Sequence, residues 1–305
     1  MSSTATASVF SLSFGSSLGL RRPLTPRIWT LIGGLSIPLW ATWPALSLAT
    51  RDMPPLECLT IAFLVGWCIL SRLEGRPPGS GAAASPASSW IPAVAFALGI
   101  SGSAGFFLWA TRYIGAAQAN LITYLWPAMI VAFGAILGIF RLRPRHVLGI
   151  ALGFFGAAIL IGVGPLRPSY PGIGFALLAG ASWALYCVFR LIWKGETGRL
   201  LTRGFGLSAI LCATLHLLLE HSVVPGVASA AAAVLIGIAP TALANLAWDR
   251  GFRSGDSQLL AVAAYGTPLC STLLLATLGL QPFTWQLLVG AIAIVAAGLL
   301  SRTQT

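Results

Sequence analysis

Long apolar runs dominate this chain, and short polar segments rich in Pro and Gly separate them. Runs of about 20 mostly apolar residues are long enough to cross a bilayer as helices. They fall at 28–49, 56–71, 90–111, 115–139, 145–164, 172–193, 203–220, 228–248, 257–279 and 283–301. Helix breakers punctuate the connections at Pro54-Pro55, Pro144, Pro171, Pro225 and Pro282. No run alternates with the period of a strand. The pattern predicts an all-α membrane protein with ten transmembrane helices.

Composition removes the soluble alternative. Hydrophobic residues make up 57% of the 305 residues and charged ones 8%, with a mean hydropathy of +0.86. A soluble domain carries about 25% charge, so this chain could not cover a water-facing surface and lipid must solvate most of it. The net charge of +11 does not point to nucleic acid, because the arginines sit in loops between spans. With the N-terminus in the cytoplasm, fifteen of the 18 basic residues fall on the inner side, and only Arg51, Arg112 and Arg167 fall outside. That bias obeys the positive-inside rule and places both termini inside a cell inner (plasma) membrane. Residues 1–27 are Ser/Thr-rich and read as a disordered cytoplasmic tail. The Gly75–Gly79 stretch with the Ala/Ser run after it reads as a flexible linker.

The chain also repeats itself. TYLWPAMIVAFGAILG at 123–138 aligns with AYGTPLCSTLLLATLG at 264–279, an offset of 141 residues. Tyr124 then matches Tyr265, Pro127 matches Pro268, and Gly138 matches Gly279. Near-equal offsets pair Trp109 with Trp248, Trp40 with Trp183, and Trp43 with Tyr186. The halves are residues 28–164 and 170–302, five spans each. An odd number of spans inverts the second half, so these are inverted repeats, and substrate is expected near the midplane where they meet.

Helical spacing at i, i+4 and i+7 gathers the candidate path residues. One face of the first span carries Trp40 and Trp43, and the matched face of the sixth carries Trp183 and Tyr186 with Arg190 beyond. The fourth span presents Asn120, Tyr124 and Pro127, and the ninth presents Tyr265 and Pro268. Phe106 and Trp109 share a face in the third span, and Asn245 and Trp248 share one in the eighth. Trp and Tyr at span ends anchor helices at the interface, but Trp40, Tyr124, Trp183 and Tyr265 lie near span centres. Asn120 and Asn245 are deep polar groups that need partners, from substrate or from a neighbouring helix. Pro127 and Pro268 are expected to break their helices beside the path and to act as hinges.

GAAQANLITYLWPAMIVAFGAILG followed by HVLGIALGFFGAAIL resembles the EamA pattern of the drug/metabolite transporter superfamily. A closer likeness is to YddG-type exporters of aromatic amino acids, through NLITYLWPAMIVAF, GASWALYCVF, ALANLAWDRGFRSGD and AVAAYGTP. The resemblance implies a basket-like fold of ten helices around a central cavity, and export of aromatic or other neutral amino acids. Export of other metabolites or cationic drugs is the alternative within the superfamily. An enzyme or receptor is the alternative outside it. The expected partners are a small-molecule substrate and the bilayer, with the chain acting as a monomer.

Catalytic motifs do not stand out. The seven acidic residues lie in loops or near span ends, and no phosphate loop, metal motif or nucleophile elbow is present. His146, His216 and His221 are read as lacking a carboxylate or cysteine nearby in sequence. No cofactor or metal is expected. Without a midplane carboxylate to relay protons, movement down a concentration gradient is the expected mode.

Overall fold

The computed structural model describes residues 25–73, 90–139, 143–161, 169–193, 199–264 and 266–300. Tyr265, most of the tail and the 75–79 linker lie outside these residues, as do the basic positions Arg76, Arg141, Arg167, Lys194 and Arg302. Every regular element among the described residues is helical. In chain order these are α1 Pro26–Gly34, α2 Ser36–Ala41, α3 Trp43–Ala49, α4 Pro55–Leu73, α5 Ile91–Tyr113, α6 Ala116–Thr123 and α7 Trp126–Ile136. They continue as α8 Pro144–Ile161, α9 Tyr170–Ile192, α10 Leu200–Leu219 and α11 Val227–Ile236. A π-helical turn over Gly237–Leu243 joins α11 to α12 Ala244–Ser254, followed by α13 Ser257–Ala264, α14 Thr267–Thr277 and α15 Trp285–Leu300.

Among the described residues, seven helical stretches are long and apolar enough to span a bilayer: Pro26–Ala49, Pro55–Leu73, Ile91–Tyr113, Ala116–Ile136, Tyr170–Arg190, Leu200–Leu219 and Val227–Phe252. Thr267–Thr277 and Trp285–Ala297 are shorter apolar helices. Large apolar side chains such as Leu31, Leu98, Phe155, Ile210, Leu217 and Ile292 project outward and stay exposed. Only lipid makes such a surface cheap. Several stretches run past their expected bounds. Pro55 starts α4 because a first-turn proline gives up no helical hydrogen bond. The helix after the π turn runs on to Ser254, where the guanidinium of Arg250 donates to the Leu73 carbonyl over 3.0 Å.

Several stretches are broken, and side chains repair the breaks at Leu35, Thr42 and Pro240 locally. Between α1 and α2 the Ser36 hydroxyl donates to the Gly33 carbonyl, and between α2 and α3 the Thr42 hydroxyl donates to that of Leu39, both over 2.7 Å. The π turn accommodates Pro240, and the Asn245 amide donates to the carbonyls of Pro240 and Thr241. A widened turn leaves room for a proline ring that an α-turn would clash with.

The packing is contiguous from end to end. Helix α9 lies along α5, α10 lies along α4 and α5, and α15 lies along α8. The α1–α3 stretch packs on the α11–π–α12 stretch and on α13 and α14, while α9 packs on α6 and α7. Where α1 crosses α12 the backbones nearly touch, since a Cβ on Gly251 would lie 2.4 Å from the Gly33 Cα.

The 141-residue offset reappears in the element boundaries. Helices α6 and α7 begin and end where α13 and α14 do, displaced by that offset. Gly138 and Gly279 are left-handed at φ 71° and 66°. Each closes its helix with the same pair of bonds. The Ile139 N–H donates to Gly134 over 2.7 Å and the Gly138 N–H donates to Ala135 over 3.0 Å; the Leu280 and Gly279 N–H groups donate to Leu275 and Ala276 at 3.0 Å. A Cβ at such a φ costs about 1–2 kcal/mol. Gly138→Ala and Gly279→Ala are therefore expected to lower stability by that amount each, and equally, in equilibrium unfolding of the purified protein in detergent. A loss at only one position would separate two caps that the geometry makes alike.

Candidate functional site

The helix interruptions at Tyr124-Leu125 and at Gly266 sit at equivalent places, with Pro127 and Pro268 as the second residues of α7 and α14. This differs from a kink in a continuous helix. The chain leaves the helix first, and each proline occupies a first turn where its missing N–H costs nothing. Side chains from the two interruptions meet. The Tyr124 side chain adjoins Thr267, whose hydroxyl donates to the Ala264 carbonyl over 2.8 Å. That is the carbonyl a helix running into Pro268 would leave bare. On the other stretch, the Thr123 hydroxyl donates to the Ala176 carbonyl over 3.3 Å, which brings α9 against the first interruption.

Asn120 and Asn245 have their amide donors engaged within the protein. Asn120 is buried and donates to the Ser271 hydroxyl over 2.7 Å, joining α6 to α14. Asn245 is half-buried and serves the π turn. Their carbonyl oxygens are the groups left to face a ligand.

The aromatic candidates form separate groups, all half-buried. Trp40 of α2 meets Trp248 of α12 with ring centroids 5.3 Å apart, and Trp248 stacks on Phe252 at 5.3 Å. Trp43 meets Phe107 at 6.1 Å. Trp183 and Tyr186 adjoin each other at 5.2 Å and both meet Phe96 edge-on, at 6.3 Å and 5.3 Å. Arg190 and Asp249 of α12 both lie in electrostatic range of the Tyr186 hydroxyl. Trp109 packs with Phe106 and Phe175. Equivalent residues thus have different neighbours. Trp40 pairs with Trp248, whereas their counterparts Trp183 and Trp109 turn to Phe96 and to Phe175. Phe96, Phe107 and Phe175 escaped the sequence pattern because their partners lie on other helices.

The histidine expectation needs correcting. His216 is four residues from Glu220, which places both on one helical face. Its Nδ1 lies 2.9 Å from Glu220 Oε2, its Nε2 lies 2.8 Å from the Ser222 hydroxyl, and Glu57 Oε2 of α4 is 3.8 Å from Nε2. Nearby, Arg51 donates to the Thr111 carbonyl and Arg112 to that of Met53, in a shallow surface crease shared with Ser47, Thr50 and Pro55.

Relatives give this architecture a family. The EamA-like transporter family profile matches residues 24–162. An aromatic amino acid exporter of Ancylobacter novellus is 33% identical over 275 residues, covering 88% of this chain and 93% of the exporter. The chain belongs to the EamA-like transporters of the drug/metabolite transporter superfamily. It is therefore a multi-pass membrane transporter. An exporter of the same description from Salmonella typhimurium is 24% identical, over 91% of this chain and 97% of that one. A solved crystal structure with 31% identity superposes with a TM-score of 0.64, over 90% of this chain and 96% of that one.

The bond between Asn120 and Ser271 is the polar tie between the two interrupted stretches of this EamA-like transporter. Such interhelical bonds in membranes couple by about 0.6 kcal/mol on average and up to about 1.7 kcal/mol. A double-mutant cycle of Asn120→Ala and Ser271→Ala, read by unfolding in detergent, is expected to give a coupling in that range. Additive losses would remove the tie.

Proposed function

We propose that this protein exports aromatic amino acids, by alternating access between two inverted five-helix repeats. The observation that carries the proposal is 33% identity to a named aromatic amino acid exporter across nearly the whole chain. Trp40, Trp43, Trp183, Tyr186, Trp248, Tyr124 and Tyr265 are the proposed walls of a central cavity. An indole or phenyl ring gains about 0.5–1.5 kcal/mol from each offset or edge-on aromatic contact. The Asn120 and Asn245 carbonyl oxygens suit a substrate ammonium group. The substrate passes unchanged.

Two observations support the repeat. Helix boundaries and caps recur at the 141-residue offset, and exchanging the halves maps the helix packing onto itself, α9 on α5 becoming the first stretch on α11–α12. The ten-span topology with cytoplasmic termini draws support from the distribution of arginines. Arg199 donates to the Ser71 carbonyl, Arg250 to that of Leu73, and Arg203 lies 4.8 Å from the Trp90 ring centre, all at one end of the bundle. We assign that end to the cytoplasm. The described acidic groups sit in turns or near the ends of the apolar stretches, which favours transport down a gradient.

Uptake of labelled Trp, Phe and Tyr into liposomes tests the substrate assignment. The wild-type protein is expected to equilibrate all three, and Trp40→Ala with Trp183→Ala to slow Trp entry about tenfold, the loss of roughly one ring contact on each side. Movement of organic cations without amino acids would reject it.

Pro127 and Pro268 are the proposed hinges. Replacing either with Ala lets the helix close over its interruption. Each variant is expected to equilibrate substrate more slowly while binding it with near-wild-type affinity, measured by tryptophan fluorescence quenching beside the flux assay. Wild-type flux in both variants would reduce the interruptions to static breaks.

A further inference from the structure

The first-half turn Arg51–Pro54 and the second-half segment 220–226 meet on the face opposite the cytoplasmic arginines, and carboxylates join them. Glu220 accepts from the Leu56 N–H at 3.1 Å and 3.3 Å, capping the start of α4. Glu57 accepts from the Val223 N–H at 3.1 Å. Asp52 accepts from the Ser229 hydroxyl at 2.5 Å and 2.6 Å. Three of the chain's seven acidic residues therefore hold one seam between the halves. In the middle of it His216 is buried at 7% exposure, between Glu220 and Glu57.

We propose that His216, with Glu220, Glu57 and Ser222, forms a proton-binding site that lets external pH tighten or loosen this seam. Histidine is the side chain whose charge ordinarily changes between pH 5 and 8. In the neutral ring, Nδ1–H donates to Glu220 and Nε2 accepts from the Ser222 hydroxyl. A proton arriving from the outer solution binds at Nε2. The Ser222 hydroxyl then turns to accept, and the new positive charge attracts Glu57, 3.8 Å away on α4. The protonated site ties α10 to α4 with charge at both ring nitrogens, whereas the neutral site leaves Glu57 with only its bond to Val223.

The neighbouring ionisable groups are compatible with this. From α5, Arg112 is in electrostatic range of Glu220 and of Arg51. Cys58 on α4 interacts with Glu57, Glu220 and Arg112, and Cys212 on α10 with Glu220. Asp52 is occupied by Ser229, and His221 is exposed. Two carboxylates lie within 4 Å of the imidazole, at 2.9 Å and 3.8 Å. The site lies at the rim, away from the midplane, so its proton modulates opening and is not carried across with substrate.

The transport consequence rests on the proposed export role; the seam itself is tested separately. Hydrogen exchange at the Leu56 and Val223 amides of the protein in nanodiscs, corrected for intrinsic rates, is expected to slow about threefold from pH 7.5 to pH 5.5, the size of a weak ion pair. His216→Gln, which can donate a hydrogen bond but cannot take up the charge, is expected to show no such change. Lowering only the external pH of right-side-out liposomes over the same range is expected to slow wild-type substrate flux about threefold and to leave His216→Gln unaffected. Should His216→Gln fail to fold, Glu57→Gln keeps the bond to Val223, loses the charge, and is expected to blunt the exchange response. Equal wild-type exchange at both pH values, or a full response persisting in the folded variant, overturns the site. A flux that ignores external pH while exchange responds overturns its effect on transport. Absence of amino-acid flux at every pH, with the exchange response intact, counts against the exporter assignment and leaves the proton site standing.

Discussion

Every peptide N–H and C=O in a bilayer must find a partner inside the protein, because lipid offers none. The rest of this structure depends on that constraint. It makes the chain helical throughout the described residues, and it limits where a helix can stop at depth. The interruptions at Leu35, Thr42 and Gly266 are tolerated because hydroxyls of Ser36, Thr42 and Thr267 cover freed carbonyls. Asn245 does the same for the π turn around Pro240. A polar residue in the middle of a span is thus, in the first instance, a backbone partner. Its availability to a ligand is what remains after that duty.

This ordering revises how the deep polar residues are to be weighed. Asn120 and Asn245 stand out in the sequence because they are costly there, and the structure assigns the cost of both to architecture. Each retains a carbonyl oxygen. Trp40, Trp183 and Trp248 have one indole N–H each to satisfy, and their rings meet other aromatic rings.

Much of the fold was legible in the sequence for simple reasons. Apolar runs of bilayer length and Pro/Gly punctuation mark the helices, and the Tyr-x-x-Pro segment with its terminal glycine marks a duplication that the backbone caps repeat at Gly138 and Gly279. Periodicity places Trp40 and Trp43 on one face because it describes a single helix. It is silent on which helix lies opposite, so the choice of Trp248 as the partner of Trp40 needed coordinates. The same limit hid the His216 cluster. Its spacing to Glu220 is local and could have been noticed, but Glu57, and the Leu56 amide that lies 164 positions away from Glu220 along the chain, come from the other half. The substrate assignment came from resemblance, since aromatic walls by themselves describe many ligands.

The unequal company kept by the matched tryptophans has one more implication. On the proposed alternating access, exchanging counterparts turns the meeting of Trp40 and Trp248 into one of Trp183 and Trp109, so the different neighbours of these four indole rings mark out how far the two halves would slide past one another.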